Sequence, residues 1–312
     1  MTTQQIITLT FSPALDVATA VDVVTPSQKL RCVSPRFEPG GGGISVARVA
    51  QRLETKAIAV VPLGGDRGQL VVGQLEAEGI RVEQVVVKHP IRQSFAVTEE
   101  STGHQFRFVF PPHQLDPDEA QRCVEAACNL AEQAACLVVS GSIDLADVHE
   151  VLRDIVTLVD PTPVLIDTSG TALDAALHSG AGLVKASARE LTDLVGRSLR
   201  TEDDIIEAAI EIIEQSDVDA LLVSIGSGGA VLARKGIPIV RFRAPTVRVV
   251  STIGAGDSLV AGIATGLARG SKLIEAIRLG IATGTAAVLT EGTELCDPFA
   301  VEELLPLVIV SS

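Results

Sequence analysis

Three glycine-rich segments hold the residues whose types and spacing suit chemistry. In Ser251-Thr-Ile-Gly-Ala-Gly-Asp-Ser258, two glycines and an alanine precede an apolar helical pattern. Gly254, Ala255 and Gly256 let the backbone turn tightly at a helix start, whose free N–H groups form an anion site. Asp257 falls where that anion would bind. Read alone, it is equally an acid favoured by the helix dipole and a proton acceptor beside a developing negative charge. In Glu38-Pro-Gly-Gly-Gly-Gly-Ile-Ser-Val-Ala-Arg48, the glycines 40–43 again precede a helical pattern, which suits close backbone approach to a ligand. Residues 27–48 hold Lys29, Arg31, Arg36 and Arg48 against Glu38 alone, a local excess that would attract a small anion. The third segment, Val223-Ser-Ile-Gly-Ser-Gly-Gly-Ala230, lies between two predicted strands. In isolation it reads as a hairpin turn before it reads as a nucleotide-contacting loop. The chain has no GxxxxGK[ST] segment and no complete GxGxxG after a strand, which argues against a Walker loop and a dinucleotide fingerprint.

The elements that must position these residues alternate. Short apolar β-branched runs at 6–11, 57–62, 136–140, 164–167 and 220–224 predict buried strands. Amphipathic stretches at 44–53, 69–78, 116–133 and 203–215 predict helices between them. Strand and helix repeated in this way predict an α/β, doubly wound, mostly parallel sheet covered on both faces. Residues 256–310 predict closely packed helices rich in Ala and Gly. Two segments, about 17–37 and 82–110, show strand-like alternation without a helix, and 92–98, 99–103 and 105–110 read as strand, turn, strand. They predict a small inserted sheet, a lid over the carboxyl-end crevice where α/β folds bind ligands. Residues 201–219 hold eight acids and no base, with Thr201 as N-cap, and read as a solvated helix face.

Composition narrows the function further. The 312 residues suit one large domain, read here as a single unit over 1–312. Acids outnumber bases 39 to 25, for a net charge of -14, and Trp and Tyr are absent. Nucleic-acid partners are not expected, because neither a basic surface nor a stacking platform is available. No run approaches 18 apolar residues, so no membrane partner is expected. The start, MTTQQIITLTF, lacks the features of a secretory signal. Five cysteines without Cys-x-x-Cys spacing suit the reducing cytoplasm. The five histidines form no metal pattern.

Taken together and in order, the motifs resemble the ribokinase-like (PfkB) family of carbohydrate kinases. The resemblance runs from about residue 6 to 296. It is carried by Thr8-Leu-Thr-Phe-Ser-Pro-Ala-Leu-Asp16, Lys29-Leu-Arg-Cys32, Phe37-Glu-Pro-Gly-Gly-Gly-Gly-Ile44, Arg92-Gln93, Arg107-Phe-Val109, Val139-Ser-Gly-Ser142, Gly254-Ala-Gly-Asp257 and Gly292-Thr-Glu-Leu-Cys296. Lys29-Leu-Arg-Cys32 and a glycine run without lysine favour the 6-phosphofructokinase branch. The resemblance implies ATP-dependent phosphoryl transfer to a sugar phosphate, fructose 6-phosphate first. Asp257 would be the base, and Gly254, Ala255 and Gly256 the anion hole. It assigns Asp16, Lys29, Gly40, Gly41, Gly42, Gly43, Ser45, Arg92, Ser140 and Asp167 to the sugar phosphate. It assigns Lys185, Ser187, Ser224, Gly226 and Gly229 to the nucleotide. Glu190 would hold Mg²⁺ through water, and a K⁺ would lie near Ser251 and Ile253. Unpaired lid edges imply a homodimer through the lids.

Three positions depart from the family pattern. Asn-x-x-Glu appears as Ser187-Ala-Arg-Glu190, the Asn after the glycine run is Ser45, and Ile143-Asp-Leu-Ala146 replaces a Pro-Pro-Gly run. Alternatives that follow are a kinase for tagatose 6-phosphate or fructose 1-phosphate, and a non-catalytic sugar-phosphate-binding relative.

Overall fold

The computed structural model describes residues 4–290 and 295–312. Met1, Thr2 and Thr3 of the amino-terminal segment and Gly292, Thr293 and Glu294 of the last motif lie outside the described residues.

The predicted alternation is present. Strand β1 (Ile6–Leu9) is fully buried and leads directly into β2 (Ala14–Val21) and β3 (Arg36–Gly40). Helix α1 (Gly42–Arg52), β4 (Ala57–Leu63), α2 (Gly65–Ala77) and β5 (Arg81–Val86) follow, then the hairpin β6 (Arg92–Glu99) and β7 (Gln105–Val109). The chain returns through α3 (Pro117–Ala131), β8 (Cys136–Ser140), α4 (Val148–Leu158), β9 (Val164–Asp167), α5 (Thr171–Leu177) and β10 (Leu183–Ser187). It closes with α6 (Ala188–Val195), α7 (Glu202–Gln215), β11 (Leu221–Ser224), β12 (Ala230–Arg234), β13 (Ile237–Arg243), α8 (Ala255–Ala268), α9 (Leu273–Ala287), α10 (Pro298–Leu304) and β14 (Ile309–Ser311).

A ten-stranded sheet runs in the order β14-β13-β12-β11-β10-β9-β8-β1-β4-β5. The pairings from β5 to β11 are parallel, and β12, β13 and β14 are antiparallel at one edge. One face packs on α1, α8 and α9, and the other on α3 to α7. This layering places apolar residues on both sides of each central strand, so those strands read as unbroken apolar runs. Strand β10 escapes that signal because Lys185 interrupts it.

The second sheet has the order β3-β2-β6-β7. Its centre is a parallel pair, β2 with β6, flanked by antiparallel partners. The expected hairpin at 92–110 is present. The expected boundary at 82 is not, because residues 81–86 pair with β4 and extend the large sheet. Residues 22–35, expected to alternate as strand, have no regular structure between β2 and β3.

Candidate active site

Side-chain parity sorts the small sheet into two faces. Register pairs Glu38 with Asp16 and Asp16 with Ser94, and Arg92 with Ala14 in the next row. These polar residues share the face that lines a cleft of about 260 Å³, together with Arg107, Ser45 and Asp257. Phe37, Phe106 and Phe108 alternate with them and are exposed on the other face.

The glycine tract closes the cleft floor by packing on protein. A Cβ at Gly40 would collide with the Asp16 carboxylate, and one at Gly42 with the Ser140 hydroxyl. At Gly43 it would approach Thr10 Oγ1 to 2.5 Å. Gly41, at φ +127°, has a backbone that side chains avoid. The expectation was close approach to a ligand, and Gly41 and Gly42 do line the cleft. The space the tract saves is nonetheless filled by β1, β2 and β8. Gly229 behaves likewise, since a side chain there would strike the Phe242 carbonyl oxygen.

Arg92 is half-buried. Its guanidinium donates to the Phe110 and Ser12 carbonyl oxygens, both at 3.3 Å, and its Nε is buried without a partner. Burial pulls its pKa down, with Asp16 opposing. Ser94 donates a hydrogen bond to Asp16 Oδ1.

Helix α8 starts between this cleft and a second one of about 470 Å³. Ile253, Gly254, Asp257 and Ser258 face the first cleft, and Thr252, Ala255, Gly256 and Leu259 face the second. Gly254 is the N-cap at φ +73°, and no side chain caps the helix. Its first N–H groups therefore point to the junction of the two clefts. Asp257 lies in this first turn. Burial pushes its carboxyl up to about 7, and the Asp167 carboxylate adds to the rise. Lys185, the Ser45 hydroxyl and Arg107 act the other way.

Lys185 Nζ donates to Asp167 Oδ1 at 3.0 Å, and both side chains are buried. Burial disfavours the ammonium, but Asp167, Glu190 and Asp257 outweigh it and raise its pKa. Desolvation raises the Asp167 carboxyl against the pull of Lys185. The ammonium abuts Gly256, where a Cβ would lie 3.3 Å from it.

The second cleft is lined by Ser187, Ser224, Gly226 and Gly229, as expected, and by Val247, Ile281, Thr285 and Val288. The third glycine segment is the turn read first in it, joining antiparallel β11 and β12, and it also lines this cleft. Ser187 caps α6, accepting from Glu190 N at 3.2 Å, while Glu190 Oε2 accepts from Ser187 N at 2.7 Å. Ile253 N donates to Ser251 Oγ at 3.2 Å. No group of three His, Cys, Asp or Glu that could hold a metal occurs among the described residues.

Eight expected contributors line neither cleft: Lys29, Gly40, Gly43, Ser140, Asp167, Lys185, Glu190 and Ser251. Lys29 is exposed in the 22–35 segment and lines neither cleft. Ser140 and Asp167 lie behind the walls, and Gly141 and Ser142 line the cleft in their neighbourhood. The local excess of cations is smaller than its count, because Arg48 forms a two-pronged pair with Glu78, remote in sequence. Sequence reading missed Ser94 and placed Arg107 only within a motif. Even spacing from Arg92 and register with Asp16 of β2 find Ser94, and the pairing of Arg107 with Ala96, two residues on from Ser94, puts it on the same face.

The fold is thus a parallel sheet layered by helices, with a β lid on one flank and two clefts meeting at one helix N-terminus. Residues 12–300 match the profile of the pfkB family carbohydrate kinases, and the chain belongs to that family. It is 42% identical over 306 residues to the ATP-dependent 6-phosphofructokinase isozyme 2 of Mycobacterium tuberculosis, covering 97% of this chain and 89% of that one. Its identity to the Escherichia coli K12 protein of the same name is 40% over 295 residues, covering 94% and 95%. The crystal structure of Escherichia coli phosphofructokinase-2 in complex with potassium superposes with a TM-score of 0.89 at 37% identity, covering 97% of this chain and 99% of that one.

Proposed function

We propose that this carbohydrate kinase transfers the γ-phosphoryl group of ATP to fructose 6-phosphate, giving fructose 1,6-bisphosphate. The observation that carries the reading is the first turn of α8, which presents Asp257 to one cleft and Ala255 and Gly256 to the other. Asp257 takes the proton of the acceptor hydroxyl as oxygen attacks phosphorus. A carboxyl raised to about 7 is a stronger base than an ordinary aspartate. The N–H groups of Gly254, Ala255 and Gly256, with the Lys185 ammonium behind them, meet the charge on the transferring group.

Asp16, with Ser94 fixing one oxygen, and Ser45 bind sugar hydroxyls. Arg92 and Arg107 receive the sugar phosphate, where a planar fork suits two oxygens. Ser187, Ser224, Gly226 and Gly229 contact the nucleotide. Mg²⁺ bound with the nucleotide neutralises phosphate charge, and Glu190 would hold it through water. An ion that keeps several waters and leans on substrate oxygens would need only one protein carboxylate, here that of Glu190, whose Oε2 is held by Ser187 N. Ser251 and Ile253 are the proposed K⁺ neighbourhood. The apolar outer face of the small sheet supports a homodimer through the lids, and free cysteines among the described residues support a cytoplasmic setting.

The test is ADP release, coupled to a readout, over a panel of sugars and sugar phosphates with Mg²⁺ and K⁺. Turnover greatest on fructose 6-phosphate is expected. A preference for tagatose 6-phosphate or fructose 1-phosphate would reassign the acceptor. Tight sugar-phosphate binding with no ADP, unchanged by Asp257→Asn, would make the protein a binding relative.

A further inference from the structure

One buried ion pair lies behind the walls of both clefts. Asp167 closes β9, Lys185 lies within β10, and the parallel register sets them side by side. Both share the strand parity of Leu165 and Leu183, which face the layer of α1, α8 and α9. Lys185 Nζ and Asp167 Oδ1 are 3.0 Å apart, and neither residue lines either cleft. The end of β9 is itself pinned. Gly141 N donates to the Asp167 carbonyl oxygen at 3.0 Å, and Thr168 Oγ1 donates to the Gly141 carbonyl oxygen at 2.9 Å. Asp167 is therefore short and fixed, whereas Lys185 carries its charge on a flexible four-carbon stem. That stem ends beneath the first turn of α8, where a Cβ at Gly256 would stand 3.3 Å from the ammonium. The ammonium has three donors. Among the described residues it makes one side-chain hydrogen bond, to Asp167, which leaves two N–H groups for the junction of the clefts.

We propose that Asp167 is a positioning residue, which holds the Lys185 ammonium against the first turn of α8 so that its charge meets the phosphoryl group in transfer. This rests on the reading of that turn as the site of transfer. It also takes Asp167 away from the sugar phosphate, the role the resemblance implies for it. A buried ammonium needs an anion to stay charged and a fixed partner to stay aimed. Burial disfavours the Lys185 charge, and Asp167 opposes that more than Glu190 or Asp257 does. Asp167 is also its hydrogen-bond partner among the described residues, so aim and charge come from one carboxylate. A charge held in place beforehand stabilises the transition state without moving during the reaction. Loss of Asp167 then falls on the rate and on the grip of the γ-phosphate, and spares the sugar.

The test compares wild type with Asp167→Ala and Asp167→Asn. The Asn keeps an oxygen for Lys185 to bond and removes the charge, and the Ala removes both. With Mg²⁺ and saturating ATP, Asp167→Ala should lower kcat at least tenfold. Asp167→Asn should recover part of that loss and stay at least threefold below wild type. KM for fructose 6-phosphate should remain within twofold in both. A raised KM with kcat held would return Asp167 to the sugar and overturn the proposal, as would equal kcat in all three proteins. Calorimetry with MgATP and with MgADP needs no acceptor. ATP affinity should fall at least threefold in each variant while ADP affinity changes less than twofold, because Lys185 meets only the group in transfer. A loss shared equally by ATP and ADP, or no loss of either, overturns the positioning role. If Asp167→Ala does not fold, Asp167→Asn carries both comparisons alone. If wild type turns over no sugar phosphate, only the functional reading fails, and the ratio of ATP to ADP affinity still decides on Asp167.

Discussion

Asp257 holds the most consequential charge in the molecule. Its carboxyl is raised, chiefly by burial, so its ionised form is disfavoured in the folded state. The protonated form predominates below about 7, and the base is available above it. We expect kcat to rise with pH through that region, measured with saturating ATP and sugar. Asp257→Asn should lower kcat by about 10²- to 10⁴-fold, the range for loss of a general base, with sugar-phosphate binding retained in calorimetry. The same raised pKa makes a stability statement. The charge penalty grows as pH climbs from the ordinary aspartate range and is complete above about 7. Asp257→Asn should therefore raise the melting temperature at pH 8 and leave it nearly unchanged at pH 4. The Lys185–Asp167 pair behaves differently, because each buried charge depends on the other. Lys185→Met should destabilise by about 3–5 kcal/mol in denaturant unfolding, the cost of stranding one buried partner. A double replacement that also makes Asp167 apolar should recover much of that loss.

At the scale of elements, helix α8 is held by close approach to α9. Cβ atoms added at Gly262 or Gly266 would lie 2.6 Å from Thr283 Oγ1 or 2.7 Å from Ala276 Cα. Gly262→Ala should cost about 1–3 kcal/mol as an overpacked contact. It should also disturb kcat more than nucleotide affinity, because the shift is relayed to the N-terminus that carries Asp257. This packing shows why the fold was legible. Runs such as 57–62 and 136–140 are buried on both faces, so burial alone writes them into the sequence. The tight Ala and Gly pattern of 256–310 likewise reports helix contact. Strand β10 is hidden because Lys185, buried and paired with Asp167, interrupts its apolar run. The same division holds in the cleft. Asp257, Asp16 and Arg92 sit in local motifs and could be read directly. Ser94 depends on a parallel register with β2, across 78 residues, that no local pattern announces. The Arg48–Glu78 pair, invisible to a count over 27–48, shows the same limit for charge.

The whole molecule carries -14, yet its proposed substrates are both anions. Attraction must then be local, supplied by Arg92, Arg107, Lys185 and one uncapped helix start, while acids such as those of α7 stay on the far layer. The lid concentrates this arrangement by facing polar residues inward and Phe37, Phe106 and Phe108 outward. If two lids join by those outer faces, Phe106→Glu with Phe108→Glu should give a monomer in light scattering and raise KM for the sugar phosphate. A wild-type monomer at working concentration would contradict the dimer. The parallel pairing of β2 with β6 has a consequence in time. Ala14 meets Arg92 across α1, β4, α2 and β5, so the centre of the lid joins segments distant along the chain. Loop closure of that size is costly until the intervening strands are already paired. The lid should be the last part of the chain to assemble and the first to come undone. A short spell of partial unfolding would then erase the proposed sugar-phosphate cleft while leaving the proposed nucleotide cleft whole.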